Sequence, residues 1–165
     1  MPSRWFIINE WLLHDLLGDN KSESQKQSVQ ILNSFTHEPH GIVILQDSPW
    51  MSKAWQLMKM TDPLQRKISQ FLHLSILRDA NKCRIIKEDE VEKLPDSLQQ
   101  LLTNSQIDND DEYLLQTWCS SPVKIECIVT TDKNLMRALD EHYPEIRTIH
   151  RDEFLDSYPE VLPSD

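Results

Sequence analysis

Glycine is almost missing from this chain: its 165 residues include only Gly18 and Gly41. Average usage near 7% would supply roughly a dozen. A Walker A loop or a dinucleotide fingerprint needs several closely spaced glycines, so that backbone N–H groups can approach phosphate. Two glycines 23 positions apart build neither. Cysteine is sparse as well. Cys83, Cys119 and Cys127 form an odd set without close-paired metal spacing, which points to reduced thiols in a cytoplasmic protein. No apolar run approaches the roughly 20 residues that span a membrane. The stretch from Trp5 to Leu17 is broken by Asn9, Glu10, His14 and Asp15, which a signal-peptide core would not tolerate. Any functional site must therefore be assembled mainly from side chains.

What is present describes an ordinary globular chain. Hydrophobic residues make up 39% and charged residues 27%, enough for a core and too few charges for disorder. The length fits one domain spanning residues 1–165. The net charge of −10 argues against a polyanion clamp, but it is unevenly spread. Residues 53–87 hold eight cations against Asp62 and Asp79, a local +6 that leaves −16 for the rest. Such asymmetry marks a face for RNA or for an acidic partner, or else cations that solvate helix faces. Five tryptophans are many for this length. They supply core bulk or, at Trp50 and Trp55, the lining of a homodimer interface.

Hydrophobic patterning alternates between strands and helices. Arg4–Ile8 is a short apolar run suited to a strand buried on both faces. A helical pattern through Trp11, Leu12 and Leu16 stops at Gly18, and Ser22 or Ser24 can open a second helix. Ile42–Leu45 reads as a strand. Ser48-Pro49 and Asp62-Pro63 each place a capping oxygen before a proline that suits the first helical turn. The first of these helices carries Met51, Trp55 and Met58 on one stripe; the second should turn Leu64, Ile68, Phe71, Leu72 and Ile76 inward. Cys83–Ile86, Ile125–Val129 and Ile146–Ile149 complete the strands, with helices at Pro95–Leu102, from Asp110, after Asp132 and around Phe154. This alternation predicts a three-layer α/β/α fold around a central parallel sheet of about five strands.

In an open parallel sheet, ligands bind beyond the carboxyl ends of the strands. Strand one ends at Asn9-Glu10 and strand four at Thr130-Thr131-Asp132; the helix leading into strand four opens with Asp110, Asp111 and Glu112. These groups can bring several oxygen ligands to one edge, where Mg²⁺ or Mn²⁺ would relieve their repulsion. Each also has a plain structural role. Asp111 and Asp132 suit helix caps, and Asn9 suits a turn.

The order of elements resembles the PIN domain, the metal-dependent ribonuclease fold of VapC-type toxins and of eukaryotic RNA-processing nucleases. The resemblance spans essentially Trp5 to Leu155. Ile128-Val-Thr-Thr-Asp-Lys-Asn-Leu135 is similar to the family's fourth-strand segment, with Asp132 at its acidic metal ligand and Asn134 at the residue that assists it. Asp111-Glu-Tyr-Leu-Leu is similar to the family's helix start and puts Asp111 at another ligand position. Where the family's first strand ends in aspartate, this chain has Asn9, followed by Glu10 as a substitute ligand. Where the family carries a glutamate after strand two, residues 48–60 hold no acid. The resemblance implies a ribonuclease in which Asp111, Asp132, Asn9 and Glu10 serve catalysis and Asp111, Asp132, Asn9 and Asn134 hold Mg²⁺ or Mn²⁺. RNA would lie along residues 53–87. The alternative it leaves open is a module that has lost hydrolysis and binds RNA or a protein partner, with the toxin half of a toxin–antitoxin pair as one cellular role. Elsewhere, His37-x-x-His40 is the sole histidine pair with metal-like spacing, and no local motif supports Ser-His-Asp or Cys-His catalysis.

Overall fold

The computed structural model describes residues 4–157. Five strands, β1 (Arg4–Ile8), β2 (His40–Leu45), β3 (Cys83–Ile86), β4 (Cys127–Thr130) and β5 (Thr148–His150), form one sheet in the order β3-β2-β1-β4-β5. Every pairing is parallel. Helices on both faces make this the expected three-layer α/β/α sandwich. β1, β2 and β4 are buried almost end to end, which is why their sequences read as continuous apolar runs rather than alternating ones.

The helices connecting the first three strands pack together on one face. They are α1 (Trp11–Leu17), α2 (Ser22–His37), α3 (Pro49–Met58) and α4 (Pro63–Phe71). Gly18 ends α1 at φ 83°, and its N–H donates to the carbonyl of Asp15. Ser48 caps α3 by accepting from the N–H of Met51, and Asp62 caps α4 by accepting from that of Gln65. α4 runs on into a π-helical segment, Leu72–Leu77, in which the N–H of Arg78 reaches back to the carbonyl of His73. The chain then crosses to the other side of β1 through α5 (Asp96–Thr103) and α6 (Glu112–Ser120), followed after β4 by α7 (Lys133–His142).

The last helix, α8 (Arg151–Ser157), returns to the first face. Phe154 meets Phe6 of β1 edge-on, and Phe6 stacks on Phe35 of α2. Arg151 ties the helix down: its Nε donates to the buried Asp15 carboxylate at 3.3 Å, and its guanidinium lies over the Trp11 ring. Asn20 and Ser28 also donate to Asp15, so this buried charge is fully partnered.

Two apolar patterns differ from expectation. In α3 the inward face is Trp50, Met51, Ala54 and Leu57, while Trp55 and Met58 are exposed. Across α4 and the π-helical segment, Leu64 is exposed and Phe71 half-buried, whereas Ile68, Leu72 and Ile76 are buried as expected. Neither pattern is wrong in period. Each helix simply carries more apolar residues than its buried stripe can take.

Candidate functional site

The chain moves outward from β1 to β2 and β3, then jumps to β4 on the far side of β1. This reversal leaves a crevice between the carboxyl ends of β1 and β4, the place where open α/β sheets bind ligands. Asn9 follows β1 there, Thr130 ends β4, and Thr131 and Asp132 lead from it into α7. A 3-10 turn, Asn109–Asp111, brings Asp111 to the same edge at the start of α6. The three residues first singled out thus meet through the topology alone.

Asp111 is buried, and its carboxyl hydrogen-bonds to that of Asp132. Burial, first, and then that hydrogen bond and the charges of Asp132, Asp108 and Asp110 push Asp111 up to about 8. At neutral pH it is therefore protonated and donates to Asp132. Burial by itself would raise Asp132 too. The hydrogen bond from Asp111 and the N–H groups of Leu135 and Asn134 outweigh it, and hold the Asp132 carboxyl below its ordinary range. Two carboxyl groups thus share one proton, as like charges in a confined site must.

Asn9 is held by a separate set of bonds. Its Oδ1 accepts from the Tyr113 hydroxyl at 2.6 Å and from the N–H of Glu10 at 2.7 Å. Its Nδ2 donates to Thr130 Oγ1 at 3.1 Å, and the same oxygen accepts from the N–H of Asp132. Both lone pairs of the amide oxygen are occupied. Asn9 therefore ties the ends of β1 and β4 to α6. Burial pushes the Tyr113 hydroxyl well above the usual phenol range, so it remains a donor. Trp11 adds another link across the same strands, with Nε1 donating to the carbonyl of Val129 at 3.0 Å.

The other expected ligands lie differently. The Glu10 carboxylate points along α1 toward His14, 3.9 Å from its Nε2. Asn134 is exposed on the first turn of α7, beside Asp132. Among the described residues, no group of three or more His, Cys, Asp and Glu side chains gathers as a metal site. His37 is exposed and His40 is buried between Phe6 and Phe35, so the two do not share an environment. Alongside Asp132 runs a polar groove of about 520 Å³, whose lining includes Asp108, Asn134, Arg137, Glu141 and His142.

Two residues gained importance only in three dimensions. Thr130 belongs to the strand-end segment, but its hydroxyl turns out to be the junction between Asn9 and Asp132. Tyr113 stands in the Asp111-Glu-Tyr-Leu-Leu segment with no role assigned from sequence. Its one sequence signal is chemical, since a buried tyrosine needs a partner for its hydroxyl.

Comparison with protein families, with curated proteins and with solved structures returned no match. The fold and the carboxyl pair describe this chain as a doubly wound α/β protein with an acidic centre at its switch point.

Proposed function

We propose that the chain is a divergent PIN-like nuclease module that takes Mg²⁺ or Mn²⁺ between Asp111 and Asp132 and hydrolyses RNA phosphodiesters. The observation that carries this reading is the carboxyl pair itself. Two acids that share a proton at a switch point are groups that would hold a divalent cation. Mg²⁺ is commonly held by only one or two carboxylates, with water filling its remaining positions, so two acids fit it. When bound, the cation would lower the pKa of a water and stabilise charge on a phosphoryl oxygen.

The chain's own residues would supply position and recognition. Asp132 is fixed by the N–H groups of Asn134 and Leu135, so its carboxylate needs no reorganisation to receive a cation. Asn9, clamped by Tyr113 and Thr130, holds the two strand ends at constant separation and leaves ligation to the acids. Arg137 would contact backbone phosphate from the groove beside Asp132.

A second reading has its own observation. The saturated Asn9 amide and the acid-free helix α3 leave two carboxylates where the resembled family uses four. That supports a module which binds RNA or a protein partner without cutting. A cleavage assay separates the two. The nuclease reading expects purified protein to cut single-stranded RNA with Mn²⁺, and Asp132→Ala to abolish cutting. Cleavage that survives both Asp132→Ala and Asp111→Ala would defeat it. Calorimetric Mn²⁺ binding without cleavage would leave the binding module.

A further inference from the structure

Among the described residues, the large apolar side chains left exposed are Trp55, Met58, Leu64, Leu74 and Ile85. All five stand on α3, α4, the π-helical segment or β3. The same stretch lies within residues 53–87, where eight cations face two aspartates. A single exposed leucine needs no explanation, whereas a cluster of large apolar residues rimmed by charge marks a surface that is covered in use. Here both properties fall on one set of elements, apart from the carboxyl pair and the groove beside it.

The geometry gives this face a centre. The Trp55 ring, 49% exposed, packs at 5.7 Å from the His73 ring. His73, Met58 and Leu74 line a hollow of about 260 Å³ together with Arg66 and Arg78. Leu74 is 60% exposed and sits in the π-helical segment. Such segments cost helix stability, and they recur at functional sites.

We infer that this face docks an acidic, amphipathic segment of a partner protein, with an apolar side chain entering the Met58–Leu74 hollow and carboxylates meeting Arg66 and Arg78. The charge of the face selects an acidic partner, and its aliphatic content selects protein. RNA bases could stack on Trp55, but Met58, Leu64, Leu74 and Ile85 offer them nothing. A bilayer surface would not enter a hollow. A second copy is disfavoured on two counts. A two-fold contact would bring Arg66 and Arg78 of both copies into one interface. The acidic stretch 88–112 of another copy brings charge but no anchor, because Leu94, Leu98, Leu101, Leu102 and Ile107 are all buried.

The test uses the full chain and a fluorescent helical peptide with leucines at i, i+3, i+4 and i+7 and glutamates elsewhere. A twin peptide carries lysines in place of the glutamates. By anisotropy, the acidic peptide should bind and its twin should not. Trp55→Ala should weaken binding about tenfold or more, as should Arg66→Glu combined with Arg78→Glu. Each substitution lies on the surface, and unchanged circular dichroism and melting confirm the fold. Equal binding of both peptides, or binding indifferent to Trp55→Ala, overturns the proposal. Trp55-dependent binding of a single-stranded oligoribonucleotide or of phosphatidylglycerol vesicles, with no binding of the acidic peptide, overturns it in favour of RNA or lipid. Self-association abolished by Trp55→Ala would assign the face to a second copy instead.

Discussion

The Tyr113 hydroxyl donates to Asn9 Oδ1 across 2.6 Å, joining the first turn of α6 to the end of β1. This bond uses a lone pair that a ligand at position 9 would need for a cation, and the N–H of Glu10 uses the other. The amide is therefore a structural tie where the resembled family has an acid. An aspartate of nearly the same shape would add charge beside Asp111 and Asp132 and would lose the donor to Thr130.

Asn9→Asp should consequently tighten Mn²⁺ binding by on the order of tenfold, measured by calorimetry. Without metal the variant should melt below the wild type, because a third carboxyl joins a pair that already shares a proton. Saturating Mn²⁺ should more than restore the loss. Unchanged Mn²⁺ affinity in a folded variant would show that position 9 does not face the cation.

The raised Asp111 carboxyl gives a signed pH dependence. Its ordinary value is 3.8, and in the folded chain it stands at about 8. Below pH ~4 both folded and unfolded chains hold this proton, and the stability it confers is fully present. Between those values only the folded chain holds it, so stability falls with rising pH, by up to about 1.4 kcal/mol per pH unit. Above pH ~8 the contribution is gone. Asp132, held low, works in the other direction and in another window: its contribution is present above 3.8 and is lost as pH falls through its depressed value. Asp111→Asn has no proton to lose, so its denaturant midpoint should stay flat from pH 5 to 8 while that of the wild type declines. A wild-type midpoint that is equally flat would contradict the shared proton.

On the proposed function, the same proton would compete with a cation. Mn²⁺ affinity of the wild type should rise about tenfold per pH unit toward pH 8 and level off above it. Titration calorimetry in buffers of different ionisation enthalpy should register one proton released per cation bound. Affinity that does not change between pH 6 and 8 would mean that the cation binds without displacing the Asp111 proton.

The sheet was legible in the sequence because its strands are buried on both faces, and Arg4–Ile8 or Ile42–Leu45 have little else to be. Caps at Ser48 and Asp62 and the stop at Gly18 were legible because each rests on one local bond. Asp111 and Asp132 could be singled out since strand ends and helix starts converge in any doubly wound sheet. What local pattern could not carry was partnership across the chain. Tyr113 and Thr130 lie 104 and 121 positions from Asn9, and only the fold sets their hydroxyls against its amide. The helix faces of α3 and α4 were obscured for a different reason. Period places residues on a stripe, but whether that stripe is covered depends on neighbours, and those of Trp55 and Leu64 leave each about half exposed.

The glycine shortage yields a final prediction, because the few glycines that remain are fixed by geometry. Gly41 in β2 pairs with Trp5 in β1, and a Cβ built on it would stand 2.5 Å from Trp5 Cζ3 and 2.7 Å from Cε3. The obstacle is a rigid ring in the core, with Arg84 lying over it from β3, rather than the loose end of a flexible side chain. Gly41→Ala should therefore cost about 1–3 kcal/mol through overpacking, despite the entropy that alanine normally saves in a strand. Denaturant unfolding would read it as a lower midpoint at unchanged slope. Adding Trp5→Leu should recover part of the loss, since removing the ring removes the clash. If Gly41→Ala were neutral by itself, the β1–β2 register at this pair would have to differ from the one described.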